Sequence, residues 1–287
     1  MPIDPAVAIG ADLPEQTFVW TADDVLLYHL ALGAGADPVD PAELRLATEK
    51  DLLVLPTFAL VAPAFNVFEP PAVRFPGIDL DLVSVLYGGQ DLVVHRPLPT
   101  EGRATLRARI ADVHDKGSAA VVVHECEGVG DDGKSLFTTR SSIFARGAGG
   151  FGGERGRSAR VAVPDTDPDL DVTTPTLPQQ ALWYRLCGDR NPLHSDPGFA
   201  AAAGFGRPIL HGLCSYGVVC KTLVDHLLAG DPTRVARFSA RFAGVVYPGE
   251  TLRTRAWRRE RDWVVSTTAV ERDDAPVLAD AVFAARG

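Results

Sequence analysis

The chain nearly repeats itself. A Leu-Pro-Thr-Glu-Gly turn at 98–102 leads into Thr105-Leu106-Arg107-Ala108-Arg109, and Tyr247-Pro248-Gly249-Glu250 leads into Thr251-Leu252-Arg253-Thr254-Arg255. The two T-L-R-x-R segments start 146 residues apart (105 against 251), about half of a 287-residue chain, as a duplication requires. Each half also closes on a similar apolar stretch, Ile143-Phe144-Ala145-Arg146-Gly147 and Val282-Phe283-Ala284-Ala285-Arg286-Gly287. Matches in one order at similar offsets favour two related halves with loops of different length.

The boundary lies in the Gly/Arg/Ser-rich stretch 147–160, which has no apolar period and is expected to be a flexible linker between residues 1–146 and 161–287. Gly147, Gly149 and Gly152 satisfy G-x-G-x-x-G after a strand-like segment. A dinucleotide site also needs a helix to begin within the glycines, so that its amides face the pyrophosphate. The polar run Glu154-Arg155-Gly156-Arg157-Ser158 follows instead, so that reading is rejected.

Periodicity divides each half into helix and then strands. Thr21-Ala22-Asp23-Asp24 predicts a capped helix start. Residues 208–229 predict a helix apolar on most faces, and therefore buried, stopped by Gly230. Alternation predicts strands at 104–113, 119–125, 136–146, 236–242, 251–257 and 263–270. Helix followed by antiparallel strands, twice, points to an α+β fold with sheets wrapped around helices.

Composition removes whole classes of function. A formal net charge of −9 disfavours nucleic-acid binding, which relies on a basic surface that displaces counterions. The longest apolar run, 52–65, is short for a membrane span and is broken by Pro56 and Pro63. The first ten residues have neither the basic region nor the apolar core of a secretory signal. Four scattered cysteines (Cys126, Cys187, Cys214, Cys220) make no disulfide framework. The expectation is a cytoplasmic protein with reduced thiols.

Chemistry concentrates between 184 and 197, where a tight turn after Gly188 presents Asp189, Asn191 and His194 within six positions. Turn formation explains Gly188, Asn191 and Pro192. It does not explain an imidazole so near a carboxylate, a pairing suited to acid–base work near neutral pH. Catalytic and structural readings stand about even on these residues alone.

A second cluster, Gly204-Phe205-Gly206-Arg207-Pro208-Ile209-Leu210-His211-Gly212-Leu213, opens the buried helix. Gly212 falls near the first turn, where unpaired N–H groups sit at the positive end of the helix dipole. Its amide suits a developing oxyanion; close packing of helix on sheet is the competing reading. His211 is either a second base or, more commonly at a helix start, structural.

The run 188–213 resembles the signature of the R-specific enoyl-CoA hydratase 2 family, the MaoC-like dehydratases. Their pattern G-D-x-N-P-x-H, followed by a small residue and G-F-x-x-P-I-L-H-G-L, is matched nearly throughout. More weakly, the whole chain resembles the double hot-dog members, in which a central helix is wrapped by antiparallel sheet and only the C-terminal half keeps the motif. Tyr28-His29-Leu30-Ala31-Leu32-Gly33 resembles the Tyr184 segment without an Asp/His pair after it. One departure is Tyr87-Gly88-Gly89-Gln90, where relatives tend to carry His-Gly before the glutamine.

The resemblance implies reversible addition of water to a trans-2-enoyl-CoA, giving the (3R)-3-hydroxyacyl-CoA. Asp189 and His194 would share the proton transfers, Asn191 would position the water or the acid, and the Gly212 amide would hold the thioester oxygen. The first half would bind the acyl tail in space left by its proline-broken segment. No cofactor and no metal are expected; His124-Glu125-Cys126 is a weak metal signal. The expected partner is an acyl-CoA thioester, its phosphates met by Arg146, Arg160 or Arg207, and the expected assembly a homodimer. The alternatives are a hot-dog acyl-CoA thioesterase, against which the intact Asp189/Asn191/His194 set argues, and a non-catalytic acyl-CoA-binding partner subunit.

Overall fold

The computed structural model describes residues 2–65, 67–156 and 160–286. Its strands are β1 (Gln16–Trp20), β2 (Val73–Phe75), β3 (Ile78–Leu80), β4 (Val85–Val94), β5 (Gly102–Asp115), β6 (Ala119–Gly130), β7 (Ser135–Arg146), β8 (Leu170–Pro175), β9 (Val235–Phe242), β10 (Thr251–Arg259), β11 (Asp262–Ala269) and β12 (Ala275–Ala285). Apart from the β2–β3 hairpin they form one ten-stranded sheet, ordered β1-β5-β6-β7-β4-β9-β12-β11-β10-β8, with every pairing antiparallel.

That order is the duplication made visible. Read inward from either edge, the halves follow the same path, β1-β5-β6-β7-β4 and β8-β10-β11-β12-β9. The two T-L-R-x-R segments occupy the equivalent strands β5 and β10. The halves join edge to edge where β4 pairs with β9, from Gly89↔Arg241 to Val93↔Arg237. A fork of Arg237 on Asp91, at 2.8 and 2.7 Å, spans the seam. Joining this way covers two strand edges that would otherwise remain open to pairing with other chains.

The long helix Gly212–Leu227 belongs to the second half but packs against both, Lys221 pairing with Glu43 and Gly217 abutting Tyr28 and Leu32, and it is buried from Leu213 through Val224. It begins later than the expected 208. The Leu210 N–H is bonded to the Val246 carbonyl at 2.7 Å, and His211 is extended at ψ 135°, so 208–211 is a connector rather than a first turn. The stop is as expected, with Ala229 and Gly230 both at positive φ. The first half has no counterpart of that length among the described residues. Its segment 52–64 forms two short 3-10 turns, Pro56–Leu60 and Ala62–Ala64, each with proline at its start, because proline lacks the N–H that would extend a helix. Its longest helix, Ala22–Ala31, carries the expected cap: Thr21 and Asp24 form a reciprocal capping box.

The glycine-rich stretch is less free than a linker. The Asp115 carboxylate accepts from the amides of Gly150 (2.9 Å), Gly152 (2.7 Å) and Gly117 (2.8 Å). These bonds, Gly150 first, hold its carboxyl below the usual carboxylate range. No helix follows in the described part, to residue 156; residues 157–159 of the expected linker lie outside the described residues.

Candidate active site

The turn carrying Asp189, Asn191 and His194 is shaped by its own side chains. Gly188 ends a 3-10 turn, Arg185–Cys187, at φ +110°. Asp189 Oδ1 accepts from the Asn191 amide at 3.1 Å, and Asn191 Oδ1 accepts from Leu193 N–H at 3.0 Å, capping the turn Pro192–His194. The motif's second acid, Asp196, only caps the next helix, Pro197–Ala202. Beneath the turn, buried Leu193, Ala200, Ala203 and Ile209 form a small core with partly buried Phe199, Phe205 and Tyr247.

His194 is buried, and its Nδ1 lies 2.9 Å from the Ile209 carbonyl. A carbonyl only accepts, so Nδ1 carries the proton and Nε2 keeps its lone pair. Burial lowers the imidazole's proton affinity, opposed by the Asp189 charge and by that carbonyl. The product is a neutral imidazole with one basic nitrogen, on a ring clustered with Asp189. Asp189 itself is part-exposed.

His211, outside the expected catalytic set, is drawn in as well. It is buried at 1% exposure, stacks on His194 with centroids 3.7 Å apart, and directs Nε2 at the Asp189 carbonyl oxygen at 3.3 Å. One donor atom from each of Asp189, His194 and His211 lies within 4.8 Å of the others. A tetrahedral ion about 2.0–2.1 Å from each nitrogen would need the rings to converge edge-on. Here they lie face to face, so the cluster suits proton transfer better than metal binding.

Gly212 is the first residue of the long helix and is part-exposed, with no side-chain cap at that helix end. Among the described residues its amide has no hydrogen-bond partner. A Cβ there would meet the Phe242 ring at 3.3–3.4 Å, so open amide and tight packing coexist. Tyr87 reaches this wall from the first half, edge-on to Phe242 at 6.2 Å. Nothing in local spacing joins Tyr87, Phe242 and Gly212; only the β4–β9 pairing does.

The three candidate arginines separate. Arg160 lies 3.5 Å from Asp280, and Arg146 donates to the carbonyls of Ala203 and Val83. Arg207 sits over the Tyr247 ring at 4.8 Å with no acidic partner among the described residues. All four cysteines are free, and no helix is long and apolar enough to cross a membrane.

Fold and site together define a double hot-dog protein in which Asp189, His194 and His211 cluster at the foot of its long helix. The pattern defining the MaoC like domain matches residues 160–276, and that of the MFE-2 hydratase 2 N-terminal domain matches 18–147. The chain is 55% identical over 278 residues to the enoyl-CoA hydratase ChsH3 of Mycobacterium tuberculosis, covering 97% of each. It is 38% identical over 277 residues to the peroxisomal enoyl-CoA hydratase 2 of Arabidopsis thaliana, covering 91% of this chain and 89% of that one. The crystal structure of a MaoC-like dehydratase from Phytophthora capsici superposes with a TM-score of 0.87 at 27% identity, over 99% and 98% of the two chains. The chain belongs to the MaoC-like, hydratase 2 family.

Proposed function

We propose that this protein is a hydro-lyase that reversibly hydrates trans-2-enoyl-CoA to (3R)-3-hydroxyacyl-CoA in fatty-acid or related acyl-CoA metabolism. The observation that carries the reading is the locked tautomer of His194, which leaves Nε2 unprotonated on a ring clustered with Asp189. In this reading Nε2 takes a proton from water as the oxygen bonds to Cβ, and that proton passes by way of the Asp189 carboxyl group to Cα, although the two roles are exchangeable. The enolate oxygen formed between these steps is held by the Gly212 amide. Asn191, its Oδ1 engaged by Leu193, has its amide group left to orient the water or Asp189. No cofactor or metal takes part.

Arg207 is the best placed of the three arginines for a CoA phosphate, since among the described residues neither a carboxylate, as on Arg160, nor main-chain carbonyls, as on Arg146, engage it. The first half binds the acyl tail where the proline-broken turns replace a full helix. A homodimer and a cytoplasmic location belong to the same reading, although some relatives carry peroxisomal names.

Following the enoyl-thioester absorbance with crotonyl-CoA and a longer enoyl-CoA tests it. Loss of the band without free thiol is the expected result. Free thiol would mean a thioesterase, and an unchanged band a binding subunit.

A further inference from the structure

We infer that His211 is a positioning residue for the acid–base pair, holding the main chain of Asp189 and the ring plane of His194 at once. This rests on the hydratase reading. The residue precedes the long helix, yet its side chain makes no capping bond there. Its imidazole turns instead toward the motif loop, between Tyr184 (centroids 4.9 Å apart) and His194 (3.7 Å). Its hydrogen bond goes to the carbonyl of the candidate acid itself, 22 residues back.

The protonation pattern makes that contact one-directional. Burial, and then the neighbouring His194, hold the His211 imidazole neutral. Its single proton must sit on Nε2 to meet the Asp189 carbonyl, and Nδ1 is left buried without a partner. An unpaired buried acceptor costs stability, which a histidine serving only as core filler has no reason to bear. Leucine or phenylalanine fills such a space without that penalty. A stacked ring also removes one rotational freedom from His194, whose Nδ1 is already tied to Ile209. Reacting groups displaced by about 1 Å lose on the order of 10²-fold in rate, so a tether of this kind acts on turnover more than on binding.

Three chains measured side by side with crotonyl-CoA test the role. His211→Phe keeps an aromatic face on His194 and removes the N–H. His211→Gln places an amide nitrogen about where Nε2 was. The phenylalanine variant is expected to lose about 10–10²-fold in kcat with KM within about threefold, and glutamine to recover a clear part of that loss. His211→Met, also without an N–H, substitutes if phenylalanine does not fold. Wild-type kcat in the folded phenylalanine variant overturns the role, as do equal losses in both variants or a loss that merely tracks the folded fraction. A wild type that does not hydrate overturns the functional reading as well. A hydrating wild type beside an unimpaired His211→Phe removes only the role of His211.

Discussion

Gly188 lies so close to Ala64 that a Cβ on it would stand 2.2 Å from the Ala64 carbonyl oxygen. The turn bearing Asp189 and His194 is thus seated on the proline-broken segment of the other half, through a contact that only glycine permits.

Gly188→Ala should therefore damage stability and turnover together. Its φ of +110° is strained for any side chain, and the Ala64 backbone cannot swing aside. A loss of at least about 1–3 kcal/mol is expected from the strain alone. Gly204→Ala is the control, with φ +88° and nothing within 4 Å; it should cost about 1 kcal/mol and leave kcat near wild type. Urea unfolding and turnover per folded molecule on both variants check this.

Asp189→Asn and His194→Ala should each lower kcat by about 10²–10⁴. Asp189→Asn should move the melting temperature little, since its side chain is part-exposed with a single hydrogen bond to the main chain. His194→Ala empties a buried site stacked on His211 and should lower it, so turnover is read per folded molecule. Near-normal turnover by either variant removes that residue from the chemistry.

Gly212→Val separates the open amide from the packing glycine. The added methyls meet the Phe242 ring first. If the amide holds the thioester oxygen, KM should rise or kcat fall by about 10²–10³ while the fold survives. If packing is the whole role, the valine should cost about 1–3 kcal/mol, with normal turnover in the folded fraction. Phe242→Leu in the same chain should relieve the second effect and not the first.

Stability should rise with pH between about 4 and 6.5. Burial lowers the pKa of His29 to about 4, against about 6.5 in the unfolded chain. Across that window the unfolded chain binds a proton that the native state refuses. The stabilisation is complete above about 6.5 and is lost as pH falls toward 4, by up to about 3 kcal/mol from this group. His124, His194 and His211 shift in the same direction. Denaturant titrations from pH 4.5 to 7.5 should show the slope, reduced by about one proton in His29→Gln. Turnover should follow a related limb, because His194 must be neutral to act as a base; its half-point should fall below 6.5.

Much of this was legible in the chain, for physical reasons. T-L-R-x-R recurring after half the length placed β5 and β10 on equivalent strands, because a duplicated segment repeats its fold. Pro56 and Pro63 announced that the first half would lack a long helix, and Thr21 with Asp24 announced a capped one. Asp189, Asn191 and His194 fall within six residues, so a single turn had to bring them together. The glycine-rich stretch misled in one respect. Composition promised a flexible linker, and the structure wraps its amides around Asp115, a residue more than thirty positions upstream.

The sequence by itself determined what repeats locally: the duplication, the strand periods, the breaks at proline and the one loop dense in titratable groups. Tertiary structure decided which distant segments touch. The β4–β9 seam, the tautomer of His194 fixed by Ile209, the stacking of His211 and the approach of Ala64 to Gly188 all join residues 15 to 152 positions apart. Such contacts depend on how whole elements pack, since the energy of a buried hydrogen bond or a stacked ring comes from partners that no local pattern names.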